Sequence, residues 1–496
     1  MRGAELLAGL IDPAAAQAVA RGLGELDLTG VTADSRQIAP GFLFAALPGA
    51  RADGRSFIAE AVARGAVAVL APPGTAWPAG VPPRPLIEDP APRRRLAEFA
   101  ARFAGPQPRC IAAVTGTNGK TSTVSFLRQL WAAGGQAAAS LGTLGLEVEG
   151  AVSVPPAGAS LTTPDPVALA ETMARLARGG IAHVAIEASS HGLAQFRLDG
   201  VRLAAAGFTN LTRDHLDYHG TEDAYRAAKL RLFAELLPVG APAVVNADMD
   251  RATLEALGAI AADRRLDLRT VGVAGTTLRL CAARPRPDGQ DVEVARPDGA
   301  RRVLPLALPG RFQAENALLA AALAEALGEV DALARLPGLR GVRGRLELAA
   351  RLPGGAAAYV DYAHTPDALA RLLAALRPHA AGRLVVVFGA GGDRDRGKRP
   401  LMGAAAAVGA DIAIVTDDNP RSEDPAAIRA AIRAACPDAR EIGDRAAAIA
   451  AGMDLLRPGD VLVVAGKGHE PGQIVGDTVI PFDDAAVIRG LAGSGA

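Results

Sequence analysis

Ile111-Ala112-Ala113-Val114-Thr115-Gly116-Thr117-Asn118-Gly119-Lys120-Thr121-Ser122 runs from an apolar, β-type stretch through a glycine-containing loop into a helical pattern. Glycines let backbone N–H groups turn onto phosphate oxygens, and the helix N-terminus adds its partial positive charge. Lys120 would neutralise β/γ-phosphate charge, and the Thr121 hydroxyl is placed to ligate Mg²⁺. The stretch therefore reads as a nucleoside triphosphate site. Val114 stands where the commonest phosphate-loop pattern has its first glycine, so the generic match is partial. A glycine turn with a solvated lysine is the bland alternative, which the strand-loop-helix context disfavours.

Outward from this stretch the same alternation recurs. AVAVLAP (66–72), HVAIEASS (183–190), LVVVFGAGGD (384–393), DIAIVTDDNP (411–420) and DVLVVAGKG (460–468) are short apolar runs that end in Gly or Asp loops and lead into Ala/Leu/Arg helical patterns. Such alternation predicts parallel α/β sheets, whose ligands gather at the carboxyl ends of the strands. At 496 residues the chain exceeds a single hydrophobic core. Gly105-Pro106-Gln107-Pro108 marks a first seam, and the glycine-rich stretch from Pro337 to Gly344 a second. The expected domains are 1–107, 108–341 and 342–496.

Lys plus Arg (53) balances Asp plus Glu (53), so no broad field draws the protein to nucleic acid or an acidic membrane, and phosphate binding must be local. Cys110, Cys281 and Cys436 lie far apart without a C-x-x-C pair, which excludes a zinc clamp or redox dithiol and fits a reducing compartment. The first residues, MRGAELLAGLIDP, are broken by Glu5 and Asp12 and lack a signal-peptide core, and no long uncharged apolar stretch occurs. A soluble cytoplasmic protein without membrane insertion is expected.

Two further segments concentrate chemistry. His183-Val184-Ala185-Ile186-Glu187-Ala188-Ser189-Ser190-His191-Gly192 delivers a carboxylate, two hydroxyls and an imidazole at a strand end. Glu187 suits a metal ligand, although a strand-end Glu taken alone is more often a cap or surface group. Phe208-Thr209-Asn210-Leu211-Thr212-Arg213-Asp214-His215-Leu216-Asp217-Tyr218-His219-Gly220 is followed by Tyr225 and Lys229 on a helix. Two aspartates and two histidines within six residues exceed what a solvated loop needs, yet their spacing matches no zinc motif.

Taken together, GTNGKTS (116–122), EASSHGL (187–193), TNLTRDHLDYHG (209–220), GRFQAEN (310–316), DYAHTPD (361–367), GGDRDRGKR (391–399), DDNPR (417–421) and GKGHE (466–470) resemble the Mur ligase family, in the branch that adds the third residue of the peptidoglycan stem peptide. The resemblance runs from Asp34-Ser35-Arg36 to Glu470. It implies a three-domain α/β architecture with a central P-loop-type mononucleotide-binding domain and a Rossmann-like C-terminal domain. The N-terminal domain would bind the UDP-linked substrate, the central one ATP and the C-terminal one the amino acid. ATP would phosphorylate the terminal carboxylate of UDP-N-acetylmuramoyl-L-alanyl-D-glutamate, and an incoming diamino acid would attack the acyl phosphate.

By the same resemblance, Gly116, Thr117, Asn118, Gly119, Lys120, Thr121 and Ser122 hold the triphosphate. Thr121 and Glu187 hold one Mg²⁺, and His215 supports a second. Lys229 is carbamylated, which turns a cation that would repel the metal into an acceptor facing it; in isolation it would read as a surface lysine. Asn316, Arg345, Asp361 and His364 serve the adenine, ribose and phosphate side, with a helix-interior amide as the other reading of Asn316. Ser35, Ala50, Arg51, Ala52, Thr162, Thr163, Ser189, Gln195 and Arg197 contact the UDP-muropeptide, though Thr162-Thr163-Pro164 also reads as an extended turn before a helix. Arg394, Asp418, Asn419, Pro420, Arg421, Gly466 and Glu470 bind the amino acid. Arg421 beside Asn419 and Glu470 suits the distal carboxylate and ammonium of meso-diaminopimelate rather than L-lysine. The catalytic set is then Lys120, Lys229 and His215, in a monomer.

Two rival readings remain at this level. A folylpolyglutamate synthetase shares the phosphate loop and ligase chemistry but not Asp34-Ser35-Arg36 or Asp418-Asn419-Pro420-Arg421. A nucleotide-driven switch or motor has no use for GKGHE and DDNPR loops.

Overall fold

The structure is a computed structural model that describes residues 1–10, 24–49, 52–149, 161–212 and 214–494. Its backbone contacts divide into two compact units. The first comprises residues 1–245, 249–269 and 323–329; the second comprises 246–248, 270–322 and 330–496.

Unit one contains two sheets. In the first, β1 (Gly30–Thr32), β2 (Phe42–Ala45), β3 (Ala68–Ala71) and β4 (Leu86–Glu88) pair in sequence order, all parallel. Helix α1 (Ile58–Ala63) lies between β2 and β3, and α2 (Pro92–Ala104) follows β4. Proline at its first turn and Gly105 at its end bound α2, which buries Leu96, Phe99 and Ala100.

The second sheet is built on β5 (Cys110–Thr115), which α3 (Lys120–Ala133) follows. Then come β6 (Ala138–Gly142), β7 (Gly145–Glu149), α4 (Pro166–Arg178), β8 (His183–Glu187), α5 (Ser190–Ala194), β9 (Ala205–Phe208), α6 (Glu222–Arg231) and β10 (Pro242–Asn246). The strand order is β10-β9-β5-β8-β6-β7, with only β7 antiparallel. All six residues of β5 are buried, so its apolar run is continuous rather than alternating, as a strand covered on both faces requires. Because β5 sits between β8 and β9, the loops after these three strands open onto one crevice.

In unit two, β11 (Asp267–Gly272) contributes its last residues to a parallel pairing with β12 (Leu278–Arg286), which continues antiparallel to β13 (Gly289–Ala295) and β14 (Arg301–Leu306). Helix α7 (Arg311–Ala326) follows. A six-stranded sheet then runs in the order β15 (Glu347–Arg351), β16 (Ala357–Asp361), β20 (Val461–Ala465), β17 (Leu384–Phe388), β18 (Ile412–Val415) and β19 (Arg440–Glu441). Only β15 is antiparallel, and β21 (Gly472–Val475) with β22 (Thr478–Pro481) forms a separate hairpin. Helices α8 (Pro366–Leu376), α9 (Lys398–Gly409), α10 (Arg445–Asp454) and α11 (Asp484–Ser494) lie between and after these strands in the chain. The three central strands β16, β17 and β20 carry Val, Leu and Ala in two separate cores, one on each face. No helix among the described residues is long and apolar enough to cross a membrane.

His379 ties the antiparallel strands of unit two to the six-stranded sheet. Its Nε2 accepts the Gly310 N–H at 2.7 Å, so the ring proton must sit on Nδ1, which faces the carbonyls of Arg286 and Gly289, both at 2.8 Å. Tyr359 adds a hydrogen bond from its hydroxyl to Pro287 O at 2.6 Å. Burial holds the imidazole pKa below its ordinary value. The native state therefore binds fewer protons than the unfolded chain, and its stability falls as pH drops below about 6.5. His379→Ala should cost about 1–3 kcal/mol at pH 8, by stranding the Gly310 N–H and two carbonyls, and should flatten the acid-side loss. Denaturant titrations at pH 8 and pH 5.5 check both effects.

Candidate active site

The phosphate loop is shaped by close backbone approach. Gly116 has φ of 145°, and a Cβ there would fall 1.9 Å from Thr209 Oγ1, so only glycine lets the segment after β9 lie against the loop. Asn210 clasps that loop: its carbonyl accepts from Thr117 N at 2.8 Å and its Oδ1 from Asn118 N at 3.0 Å. Thr117 Oγ1 donates to Thr212 O at 3.1 Å, which leaves the Tyr225 hydroxyl to donate to Thr117 across 3.1 Å. Gly119, at φ of 86°, then releases the chain into α3. Lys120 is folded onto the loop, donating to Gly116 O at 2.8 Å and Thr117 O at 2.9 Å.

Lys229, on α6, donates from Nζ to the same Gly116 carbonyl at 2.7 Å and lies 4.5 Å from the Tyr225 ring centre. Only 1% of it is exposed. Burial, with the Lys120 cation as the next cause, pushes its pKa down to about 6, so the amine is neutral at pH 7. Glu187, at the end of β8, is 2% exposed, and the absence of a side chain at Gly142 makes room for its carboxylate. Its Oε1 accepts Thr143 N at 2.9 Å and its Oε2 the Thr143 hydroxyl at 3.2 Å. Burial raises its pKa, while Lys120, Thr143 and Thr121 work against that rise.

A buried carboxylate beside the Thr121 hydroxyl fits Mg²⁺, which takes one or two protein oxygens and completes its shell from phosphates and water. No group of three or more His, Cys, Asp and Glu that could hold a metal ion occurs among the described residues. His215 is exposed at φ of 51°, with its ring 4.9 Å from His191 and 6.1 Å from Tyr225. It belongs to the same rim, with Asp214 Oδ2 3.5 Å from its Nε2.

The muropeptide candidates fall into two groups. Ser35, Ala52, Gln195 and Arg197 line one cleft of about 1230 Å³. Arg36, Arg64 and Arg93 line it too, and sequence reasoning singled out none of these as binding residues. The Ser35 hydroxyl donates to Glu60 Oε2 at 3.2 Å, and Arg64 pairs with Glu60 at 2.9 Å. Thr162, Thr163 and Ser189 instead connect that cleft wall to Glu187. The Thr163 hydroxyl donates to Glu187 O at 2.8 Å, so Ser189 must donate to Thr163 across 3.0 Å while accepting Gly192 N as the cap of α5. Thr162 meets Thr143 at 3.1 Å. The turn reading of Thr162-Thr163-Pro164 describes this segment well, since Asp165 next caps α4. Ala50 and Arg51 lie outside the described residues.

Unit two gathers the remaining candidates at the carboxyl ends of β16, β17, β18 and β20. Asn419 Nδ2 donates to Glu470 Oε2 at 2.9 Å, and its Oδ1 accepts from Lys467 Nζ and Ile474 N, both at 2.9 Å. Arg421, at φ of 52°, donates to Gly392 O at 2.8 Å, and Ser422 donates to Asp393 at 2.7 Å, which fastens the loops of Arg421 and Arg394 together. Gly466 makes room for the Asp418 carboxylate. Pro420 carries the chain from Asn419 to Arg421. Beneath these loops the fully buried Arg445 pairs with Asp484 at 2.7 Å and donates to Asp417 O and Ala465 O.

The nucleotide candidates of this unit differ in kind. Both carboxylate oxygens of Asp361 hold backbone, from Leu346 N and Ala363 N at 2.8 Å each, and burial raises its pKa. Arg345 lies 5.0 Å over the Tyr362 ring, and His364 packs 4.5 Å from the same ring. Asn316 is buried on α7 and donates to the Gln313 side chain at 3.3 Å, a helix-interior contact rather than a backbone bond.

One signal in the sequence marks residues the motifs left unassigned. Of the 53 basic side chains only Lys120, Lys229, Lys398 and Lys467 are lysine. A chain that uses arginine for nearly every cation retains lysine where a compact ammonium with three donors is needed. Lys120 and Lys229 share one carbonyl; Lys398 donates to His364 O at 3.0 Å; Lys467, wholly buried, bonds Asn419 and faces Glu470 at 3.5 Å and Asp418 at 3.8 Å.

A sheet whose glycine loop after β5 is clasped by Asn210 from the segment after β9, with a separate, mostly parallel sheet carrying Asn, Arg and Glu at its strand ends, defines an α/β protein. The Mur ligase family, catalytic domain matches residues 27–104, the Mur ligase middle domain 114–324 and the Mur ligase, glutamate ligase domain 344–468. A UDP-N-acetylmuramoyl-L-alanyl-D-glutamate–2,6-diaminopimelate ligase of Caulobacter vibrioides is 56% identical over 465 residues, 92% of this chain and 94% of that protein. A solved structure of a ligase of the same name superposes with a TM-score of 0.75 at 33% identity, covering 100% of this chain and 99% of that one. A MurF ligase from Thermotoga maritima in complex with ADP shares the fold at a TM-score of 0.56 and 18% identity, covering 94% and 98%. The chain belongs to the Mur ligase family and has its three-domain architecture of mixed α/β sheets.

Removing the Lys467 ammonium leaves the buried Asp418 carboxylate and the part-exposed Glu470 without this cation, and Asn419 without one donor. Lys467→Met should therefore destabilise unit two by about 3–5 kcal/mol, and Lys467→Arg should restore little, because a planar guanidinium does not fit the ammonium's place. Denaturant unfolding followed in this unit checks the pair of variants.

Proposed function

We propose that this chain is an ATP-dependent, ADP-forming ligase that joins meso-diaminopimelate to UDP-N-acetylmuramoyl-L-alanyl-D-glutamate in peptidoglycan precursor synthesis. We place its domain limits at 1–107, 108–341 and 342–496, within which the three family matches fall one to a domain. The observation that carries the substrate reading is the hydrogen-bonded set at the carboxyl ends of β17, β18 and β20. There Glu470 is bonded to Asn419, and the loops of Arg394 and Arg421 are fastened together. A carboxylate beside an amide suits an ammonium, and the two guanidiniums suit carboxylates, as a diamino acid with an amino acid group at each end requires.

In this reading the phosphate loop holds the triphosphate, and Lys120 unfolds from Gly116 O to meet the transferring phosphate. The dipeptide's terminal carboxylate takes the γ-phosphoryl group. The amine nitrogen then attacks that carbonyl carbon, the tetrahedral centre collapses, and inorganic phosphate leaves as the amide forms. Mg²⁺, held by Thr121, Glu187 and, at a second position, His215 and carbamylated Lys229, would neutralise the oxygens that must approach one another. Lys229 is suited to carbamylation because its buried amine is neutral at working pH and can attack CO₂. The hydroxyl relay from Thr163 through Ser189 fixes the backbone at Glu187, and Ser35, Gln195 and Arg197 bind the UDP-muropeptide in their cleft.

Phosphate release by the purified enzyme should require ATP, the UDP-muramoyl dipeptide and meso-diaminopimelate together. L-Lysine should be used at least about 10³-fold less efficiently, because it leaves Arg421 unmatched. Arg421→Ala should lose most of that preference. Equal kcat/KM for the two amino acids in the unmutated enzyme would contradict the diaminopimelate assignment, and release independent of the muropeptide would contradict the ligase assignment.

A further inference from the structure

Helix α5 ends in a left-handed closure whose central residue is of the wrong type. Arg197 N donates to Gly192 O at 2.9 Å and Phe196 N to Leu193 O at 3.1 Å, while Phe196 itself has φ of 58°. That pair of bonds is the closure in which glycine ordinarily occupies the left-handed position. A bulky side chain there is strained and persists only where its surroundings compel it.

The guanidinium carbons of Arg231 and Arg94 lie over the Phe196 ring, 4.3 and 5.2 Å from its centre. Both arginines pair with the buried Asp199, Arg94 at 2.9 Å, and both also pair with Glu235. Arg231 further donates to Leu193 O at 2.8 Å, inside the closure itself. Gly200 allows α2 to come close, since a Cβ there would fall 2.3 Å from Ala97 O. Arg94 therefore reaches the ring from the helix whose Arg93 lines the muropeptide cleft.

The residues on either side of Phe196 are the two that matter for that cleft. Gln195 and Arg197 both line it, Arg197 donates to Gln195 Oε1 at 2.7 Å and to Thr163 O at 2.6 Å, and Gln195 donates to the Tyr218 hydroxyl at 3.1 Å. A backbone reversal between them is what lets neighbours in sequence meet side by side on one wall.

We propose that Phe196, held by Arg94 and Arg231, is a positioning residue for UDP-muropeptide binding: its ring locks the closure that presents Gln195 and Arg197 to the substrate. This rests on the assignment of the cleft to the UDP-muropeptide. The role is to position, since Phe196 is not itself among the residues that line the cleft.

Phe196→Gly separates a positioning role from a structural one, because glycine is the residue the backbone prefers and only the clasped ring is lost. KM for the UDP-muramoyl dipeptide should rise about tenfold or more, with KM for ATP and for meso-diaminopimelate unchanged within about twofold and the thermal midpoint unchanged or higher. Phe196→Trp, which keeps a face for the guanidiniums, should recover most of the affinity. Arg94→Gln, which leaves the backbone untouched, should shift the same KM in the same direction but less. Wild-type KM for the muropeptide in Phe196→Gly overturns the proposal, as does a rise shared equally by all three substrates. Should Phe196→Gly fail to fold, Arg94→Gln decides alone, and an unchanged muropeptide KM there also overturns it. An unmutated enzyme that does not turn over the muropeptide in the same assay would instead overturn the function.

Discussion

Two lysines converge on one carbonyl oxygen, that of Gly116, and much of unit one is arranged around that meeting. Two ammonium groups on one buried acceptor repel each other, and the chain resolves this by burying Lys229 so completely that its amine gives up its proton near neutrality. Lys120 can then keep its charge beside the loop and beside Glu187, whose carboxylate it stabilises against burial. The glycine at 116 is required twice over, for its left-handed backbone and for the approach of Thr209 and Asn210. Those residues in turn fix the start of the segment that carries His215 and leads to α6.

The sequence made the fold legible where apolar runs were continuous and ended in glycine or aspartate. The runs read as starting at Ile111 and as spanning 183–190, 384–393, 411–420 and 460–468 contain the parallel-sheet strands Cys110–Thr115, His183–Glu187, Leu384–Phe388, Ile412–Val415 and Val461–Ala465, and the helices after the first two begin at Lys120 and Ser190. The antiparallel β12 to β14 were not legible, because exposed strands such as Arg301–Leu306 carry arginines where an alternating apolar face would signal a strand. The phosphate loop was readable from its glycines and lysine. The clasp by Asn210 was not, since an asparagine two residues past a strand carries no signal until the neighbouring strand is known to be β5.

Among the candidate site residues, chemistry alone separated ligand-facing groups from supporting ones only in part. Asp361 and Thr163 have the right functional groups, yet both spend them on their own backbone surroundings. The fully buried Arg445 and Lys467 lie outside any short list of binding types, but they hold the loops that contain Asp418, Asn419 and Glu470. Lysine scarcity was the signal that could have found Lys467, whereas nothing in the sequence distinguishes Arg445 from the many other arginines.

The neutral amine of Lys229 is the claim on which the chemistry of unit one turns. Carbon-13 NMR of the enzyme equilibrated with ¹³C-bicarbonate near pH 8 tests it most directly. A carbamate resonance should appear that is absent from Lys229→Arg and persists in Lys398→Arg. An active enzyme with no Lys229-dependent carbamate signal would contradict it.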